Sequence, residues 1–309
     1  MIWLISDHSL PHLRQNCALP DPTIFVTIQP RELRINNDNV SLTVFDYPGE
    51  NPPILFAHAN SFHGRIWDQV IAHLPGRQCY AVDLRGHGRS DKPAAPYLWR
   101  LFGHDLVNIA HQLNIRNAIG VGHSLGGHAT TLSAALDPQL FRALLLVDPV
   151  ILRPSQYIGT LAGEHYSARR RSRFESPEAM IERFRDRLPF SRWEPSVLRD
   201  YCEYGLLPAD DGYVLACPPS VEAEIYTRST DKESNIYPEI ATIDIPVRIM
   251  RAGTLQENPA EDLSASPTAP NLVQAFRHAV DIPLPDHSHF IPMESPLLVA
   301  QHVQELLIR

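Results

Sequence analysis

Gly122-His123-Ser124-Leu125-Gly126-Gly127 is the stretch of this 309-residue chain whose residue types and spacing best suit chemistry. The short apolar run Asn117 to Val121 leads into it, and the helix formers His128 to Leu136 follow it and stop before Asp137-Pro138. This pattern predicts a strand, a sharp turn and a helix, with Ser124 on the turn. Such a turn strains the backbone, and the small residues Gly122 and Gly126 let the flanking chains pass close together. The strain points the serine hydroxyl outward. It also places the Leu125 amide at a helix N-terminus, where unpaired N–H groups and the helix dipole favour a negative oxygen. A serine hydroxyl is a poor nucleophile at neutral pH, so it needs a base within hydrogen-bond reach and a third group to orient that base.

The elements that must position this turn read as a mostly parallel sheet. Residues 1 to 22 contain Pro11, Pro20 and Pro22 without clear periodicity and predict an irregular arm. Thr23 to Ile28 and Val40 to Tyr47 predict an antiparallel opening around the turn formers Asn36-Asn37-Asp38-Asn39. Pro53 to Ala57, Cys79 to Val82 and Leu144 to Val147 then read as buried strands, with helices predicted at Trp67 to Leu74 and at 99 to 113. Strands alternating with helices argue for helices on both sheet faces, and reactive groups collect at the carboxyl ends of such strands. Asn60, Ser124 and Asp148 all fall there. From Ile151 to about Ile245 the alternation stops, and the chain turns rich in arginine, proline and aromatic residues, as an inserted and mainly helical cap would be. Ser176-Pro177-Glu178 marks a helix start within it. The run Arg169-Arg170-Arg171-Ser172-Arg173 reads as solvated surface, while Trp193, Tyr201, Tyr204, Tyr213 and Tyr226 suit either a pocket lining or internal packing. The core resumes with a strand at Ile245 to Met250, a helix after Asn271 through His278, a strand at Asp281 to Leu284 and a last helix from about Pro296 to Ile308.

Gly122-His123-Ser124-Leu125-Gly126 resembles the Gly-x-Ser-x-Gly nucleophile turn of the α/β-hydrolase superfamily, in its serine-nucleophile, cap-containing esterase and lipase-like branch. Three further segments are similar in the same order: His58-Ala59-Asn60, the loop Asp83-Leu84-Arg85-Gly86-His87-Gly88-Arg89-Ser90, and His289-Phe290-Ile291-Pro292-Met293-Glu294-Ser295-Pro296. The resemblance covers most of residues 23–150 and 246–309, the expected core, with 151–245 as the cap. It implies Ser124 as nucleophile and His289, rather than the nearby His287, as base. The oxyanion donors it implies are the Leu125 amide and the amide of Asn60 or Ser61, since Ala59 stands where the family has glycine. His58 reads as a structural histidine, and the Asp83 to Ser90 loop as fold support without chemistry. At the family's usual acid position stands Gln256, which carries no charge, so the acid is assigned to Asp148 after the sixth strand, in preference to Glu257 or Asp262 in the usual loop. The implied activity is hydrolysis of a small or medium carboxylic ester, lactone or thioester through an acyl-enzyme, with no metal or organic cofactor. Carbon–carbon hydrolysis, cofactor-free perhydrolysis and ligand binding without turnover are the alternatives on this fold.

Bulk properties exclude other classes. The 27 basic and 35 acidic residues leave a net charge of −8, which gives no global attraction to nucleic acid or anionic membrane. The start of the chain lacks a signal-like pattern and no apolar run reaches membrane-spanning length, so a cytoplasmic enzyme acting on a small molecule is expected. Cys17, Cys79, Cys202 and Cys217 are too widely spaced for a zinc or disulfide framework and read as reduced packing residues.

Overall fold

A computed structural model describes residues 29–37, 39–163, 165–253 and 265–308. The expected arm at 1–22 and strand at 23–28 lie outside the described residues. The opening hairpin instead pairs β1 (Arg31–Asn37) antiparallel with β2 (Val40–Tyr47), closed by the asparagine-rich turn. β1 escapes a reading by composition because only Leu33 and Ile35 alternate among charged residues on a half-exposed edge. β3 (Glu50–Ala57) follows, then a 3₁₀ turn running into α1 (Asp68–Ala72), β4 (Arg77–Asp83) and α2 (Trp99–Gln112). β5 (Ala118–His123) leads into α3 (Leu125–Leu136), and β6 (Phe141–Val147) ends at Asp148.

Residues 151–245 form a region of mixed structure. It holds β7 (Arg173–Phe174), α4 (Pro177–Phe184), α5 (Pro195–Tyr204), β8 (Leu206–Ala209), β9 (Gly212–Leu215), α6 (Pro219–Thr227) and α7 (Tyr237–Ile240). Ser176 caps α4 by accepting from the Ala179 N–H, and Pro177 fills the first turn, as its sequence signals require. The strands make a small antiparallel sheet in the order β7-β9-β8, which helical expectations missed because its strands are four residues or shorter.

The chain then returns to the main sheet with β10 (Val247–Ala252) and β11 (Ala279–Leu284), and ends with α8 (Ile291–Glu294) and α9 (Pro296–Leu307). The helix expected after Asn271 through His278 is only a 3₁₀ turn, Leu272–Ala275. Its apolar residues cover the core in one turn before the backbone extends to pair Ala279 with Val247 in β11.

Among the described residues eight strands form the main sheet in the order β1-β2-β4-β3-β5-β6-β10-β11, parallel from β4 onward. Both faces are buried, which is why the central strands are continuously apolar rather than alternating. Ile54 and Phe56 of β3 face a core shared with α1, α9 and the aromatic residues of 151–245; Leu55 and Ala57 face a second core under α2 and α3. The carboxyl ends of β3, β5 and β6 therefore lie side by side. Among the described residues the free cysteines Cys79, Cys202 and Cys217 are buried, while Cys17 lies outside the described residues.

Candidate active site

Ser124 sits between β5 and α3 with φ 56° and ψ −117°, a conformation that non-glycine residues seldom adopt. The turn is held open by hydrogen bonds. Ser124 N–H donates to the Val147 carbonyl, and its own carbonyl accepts from the amides of Gly127, His128 and Val150. A Cβ on Gly122 would press into the Gly126 carbonyl, and one on Gly126 into the Ala57 carbonyl. Both positions need glycine because three backbones converge there.

The structure brings the distant histidine and acid to this serine. His289 Nε2 lies 2.9 Å from Ser124 Oγ, and Nδ1 lies 2.6 Å from Asp148 Oδ2. With Nδ1–H donated to the carboxylate, Nε2 is free to accept the serine proton. Asp148 has φ 43° and no exposed surface. Its Oδ1 accepts from the Ala252 amide at 3.1 Å, the Ser266 hydroxyl at 2.5 Å and the Thr268 hydroxyl at 3.1 Å. Those donors orient the carboxylate so that Oδ2 faces the imidazole. Glu257, Asp262 and Gln256 lie outside the described residues. His287 turns away and meets the Ser295 hydroxyl at 2.9 Å.

Several residues that sequence reasoning passed over brace His289. Glu294 accepts from the Ser288 hydroxyl at 2.5 Å and the Ser288 amide at 3.1 Å, and pairs with Arg192 at 2.8 Å. Burial pushes its carboxyl up, but the Arg192 and Ser288 hydrogen bonds outweigh this and hold it below the usual glutamate range. His123, the residue before the serine, donates from Nε2 to the His289 carbonyl at 2.8 Å. Burial, with His289 beside it, keeps His123 well below the ordinary histidine range and so uncharged.

The loop after β3 approaches from the other side. His58 is buried, with Nδ1 donating to the Ala59 carbonyl and Nε2 accepting from the Leu84 amide, a structural role. The Ser61 amide is committed to His87 Nε2 at 3.0 Å, whereas no such partner engages the Asn60 main-chain amide among the described residues. The Asp83 to Ser90 loop braces this segment, because its His87 holds Ser61, the neighbour of the expected donor Asn60. Asn60 is anchored by its side-chain amide, which donates to the Glu222 carbonyl at 3.0 Å.

Beside these loops lies a cavity of about 400 Å³ whose lining includes Phe62, Phe190, Trp193, Tyr201 and Phe290. Ser124 and His289 are not among its lining residues, but Ser61 and Phe290, next to Asn60 and His289, are. Of the aromatic residues left open by the sequence, Trp193, Tyr201 and Tyr226 line this cavity, whereas Tyr204 lies under the Arg65 guanidinium 3.9 Å away. The arginine run is not simply solvated: Arg170 turns inward onto Glu222 at 2.7 Å and the Tyr201 hydroxyl at 3.1 Å. Among the described residues no group of three or more His, Cys, Asp or Glu is placed to hold a metal, and no helix is long and apolar enough to cross a membrane.

Residues 54–302 match the alpha/beta hydrolase family. The chain belongs to that family. Among its relatives is 2-(acetamidomethylene)succinate hydrolase of Mesorhizobium japonicum, 26% identical over 281 residues that cover 89% of this chain and 94% of the relative. Lipase LipV of Mycobacterium tuberculosis is 35% identical over 113 residues, 36% of this chain and 43% of the lipase. The enol-lactonase from Burkholderia xenovorans LB400 shares the fold of this hydrolase with a TM-score of 0.61 at 20% identity, over 90% of this chain and all of the lactonase.

Proposed function

We propose that this hydrolase cleaves a small or medium carboxylic ester, lactone or thioester through an acyl-enzyme on Ser124. The observation that carries the reading is the continuous hydrogen-bonded chain from Ser124 Oγ through His289 to Asp148, at 2.9 and 2.6 Å. Ser124 Oγ adds to the acyl carbon as its proton passes to His289 Nε2, and Asp148 holds the imidazole tautomer and stabilises the imidazolium. The carbonyl oxygen becomes an oxyanion beside the Leu125 amide, at the N-terminus of α3, and the Asn60 amide. His289 returns the proton to the leaving oxygen or sulfur, and the tetrahedral centre collapses to the acyl-serine. Water, deprotonated by the same histidine, then releases the acid.

Residues 151–245 act as a cap in this reading. Arg170, Glu222, Trp193 and Tyr201 reach over the Asn60 loop and close one side of the cavity, which favours an acyl group of limited size. Relatives named as a lipase and as a succinate-type hydrolase support hydrolysis at a carbonyl, without choosing the bond.

The test is turnover of p-nitrophenyl acyl esters of graded chain length, together with labelling by a fluorophosphonate. Wild type is expected to turn over the shorter esters and to gain one phosphonyl group on Ser124; Ser124→Ala should do neither. Absence of both turnover and labelling in the folded wild-type protein would overturn the proposal in favour of ligand binding.

A further inference from the structure

The chain carries a net charge of −8, yet among the described residues the cavity beside the Asn60 loop is lined by four arginines, Arg170, Arg171, Arg183 and Arg187, against a single carboxylate, Glu222. Four guanidinium groups and one carboxylate leave a local charge of +3. Arg170 is spent on Glu222, Tyr201 and the Ser61 hydroxyl, so it neutralises the one acid and braces the loop that carries Asn60. Arg171 lies over the Phe174 ring and donates through Nε to the Arg173 carbonyl.

Arg183 and Arg187 differ from these. They stand four residues apart, on α4 and on the turn that continues it, so both fall on one face with Phe184 between them on the same cavity wall. Among the described residues neither meets a carboxylate, whereas Arg185, pointing elsewhere, takes both nearby acids, Glu182 and Asp186. Both side chains are exposed at the edge of an aromatic wall that includes Phe190 and Trp193. Apolar walls behind two unpaired guanidinium groups form a site for an anion attached to an apolar spacer, and a planar guanidinium matches a carboxylate with two parallel hydrogen bonds.

We infer that Arg183 and Arg187 bind a carboxylate on the acyl part of the substrate, so that the preferred substrate is the ester or related acyl derivative of a dicarboxylic acid. The inference rests on the acyl-enzyme reading above and adds the substrate class. The acyl carbonyl sits at Ser124, the carbon chain crosses the aromatic wall, and the second carboxylate ends at the α4 arginines.

The experiment compares kcat/KM for mono-p-nitrophenyl adipate and p-nitrophenyl hexanoate, which share chain length and leaving group and differ in the terminal carboxylate. At low ionic strength the adipate is expected to be preferred by about 5-fold, the upper end for an exposed ion pair. The preference should shrink at about 1 M salt, where the screening length falls to about 3 Å. In R183Q/R187Q the ratio should fall to about one, while R185Q, at the C-terminal end of α4 but outside the cavity, keeps the wild-type ratio. Turnover of the hexanoate with equal or slower turnover of the adipate would overturn the carboxylate site and leave the acyl-enzyme mechanism standing. Turnover of neither ester would instead remove the mechanism on which the inference rests.

Discussion

Replacing Asp148 by asparagine exchanges one carboxylate oxygen for an NH2 group, and the structure dictates which one. Oδ1 accepts from the Ala252 main-chain N–H, which cannot rotate, and from the Ser266 and Thr268 hydroxyls, which can. Turning the NH2 toward Ala252 would oppose two donors in a buried site and cost about 1–3 kcal/mol. The amide oxygen therefore stays on that side, and the NH2 faces His289 Nδ1 across the present 2.6 Å contact. Nδ1 must then accept, the ring proton moves to Nε2, and Nε2 no longer takes the Ser124 proton. The wrong tautomer should lower kcat about 10,000-fold, or about 5 kcal/mol of transition-state stabilisation, with KM nearly unchanged. Steady-state hydrolysis of a p-nitrophenyl ester by Asp148→Asn, Glu257→Gln and wild type reads this directly, with a melting curve to show that each variant is folded. Asp148→Asn with more than about a tenth of wild-type kcat, alongside a collapsed Glu257→Gln, would refute the argument and place the acid in the loop after β10.

The geometry of the candidate site was more legible than its surroundings because its parts are local. Ser124 is announced by two glycines that three converging backbones require, and His289 by a run of eight residues in which Glu294 locks the histidine loop through Ser288. Asp148 is favoured over Glu257 by its place at the end of a strand, but nothing in the sequence marks the groups that orient it. The Ser266 and Thr268 hydroxyls that orient it stand 118 and 120 residues away and belong to no motif. Long-range pairing hid the rest as well. Arg170 sits in a run that looks solvated, and only the fold brings Glu222, 52 residues on, against it. The α4 arginines are readable as a helix face but not as a cavity wall, because the wall is completed by Phe62 and Phe290 from separate core loops. β8 and β9 pair across a hairpin too short for an alternating pattern to emerge.

Three further perturbations follow from the same contacts. Gly126→Ala forces a methyl into the Ala57 carbonyl and should cost about 2 kcal/mol, seen as a melting temperature lower by several degrees together with lost activity; wild-type behaviour would show that the turn has slack. Glu294→Gln keeps one Ser288 contact but loses the Arg192 ion pair, so kcat should fall about 10-fold at constant KM, whereas a change confined to KM would mean that the loop shapes the pocket instead of holding His289. Asp200 gives a stability prediction with a defined sign. Burial pushes its carboxyl up to about 7 against the opposing Gln69 hydrogen bond, while the unfolded chain titrates at about 4. Between these values the native protein holds a proton that the unfolded chain has released, so stability falls as pH rises through about 4 to 7. Asp200→Asn keeps an oxygen for Gln69 and has no proton to lose, so its melting temperature should drop less across that window, and parallel curves for variant and wild type would remove Asp200 as the source of the pH dependence.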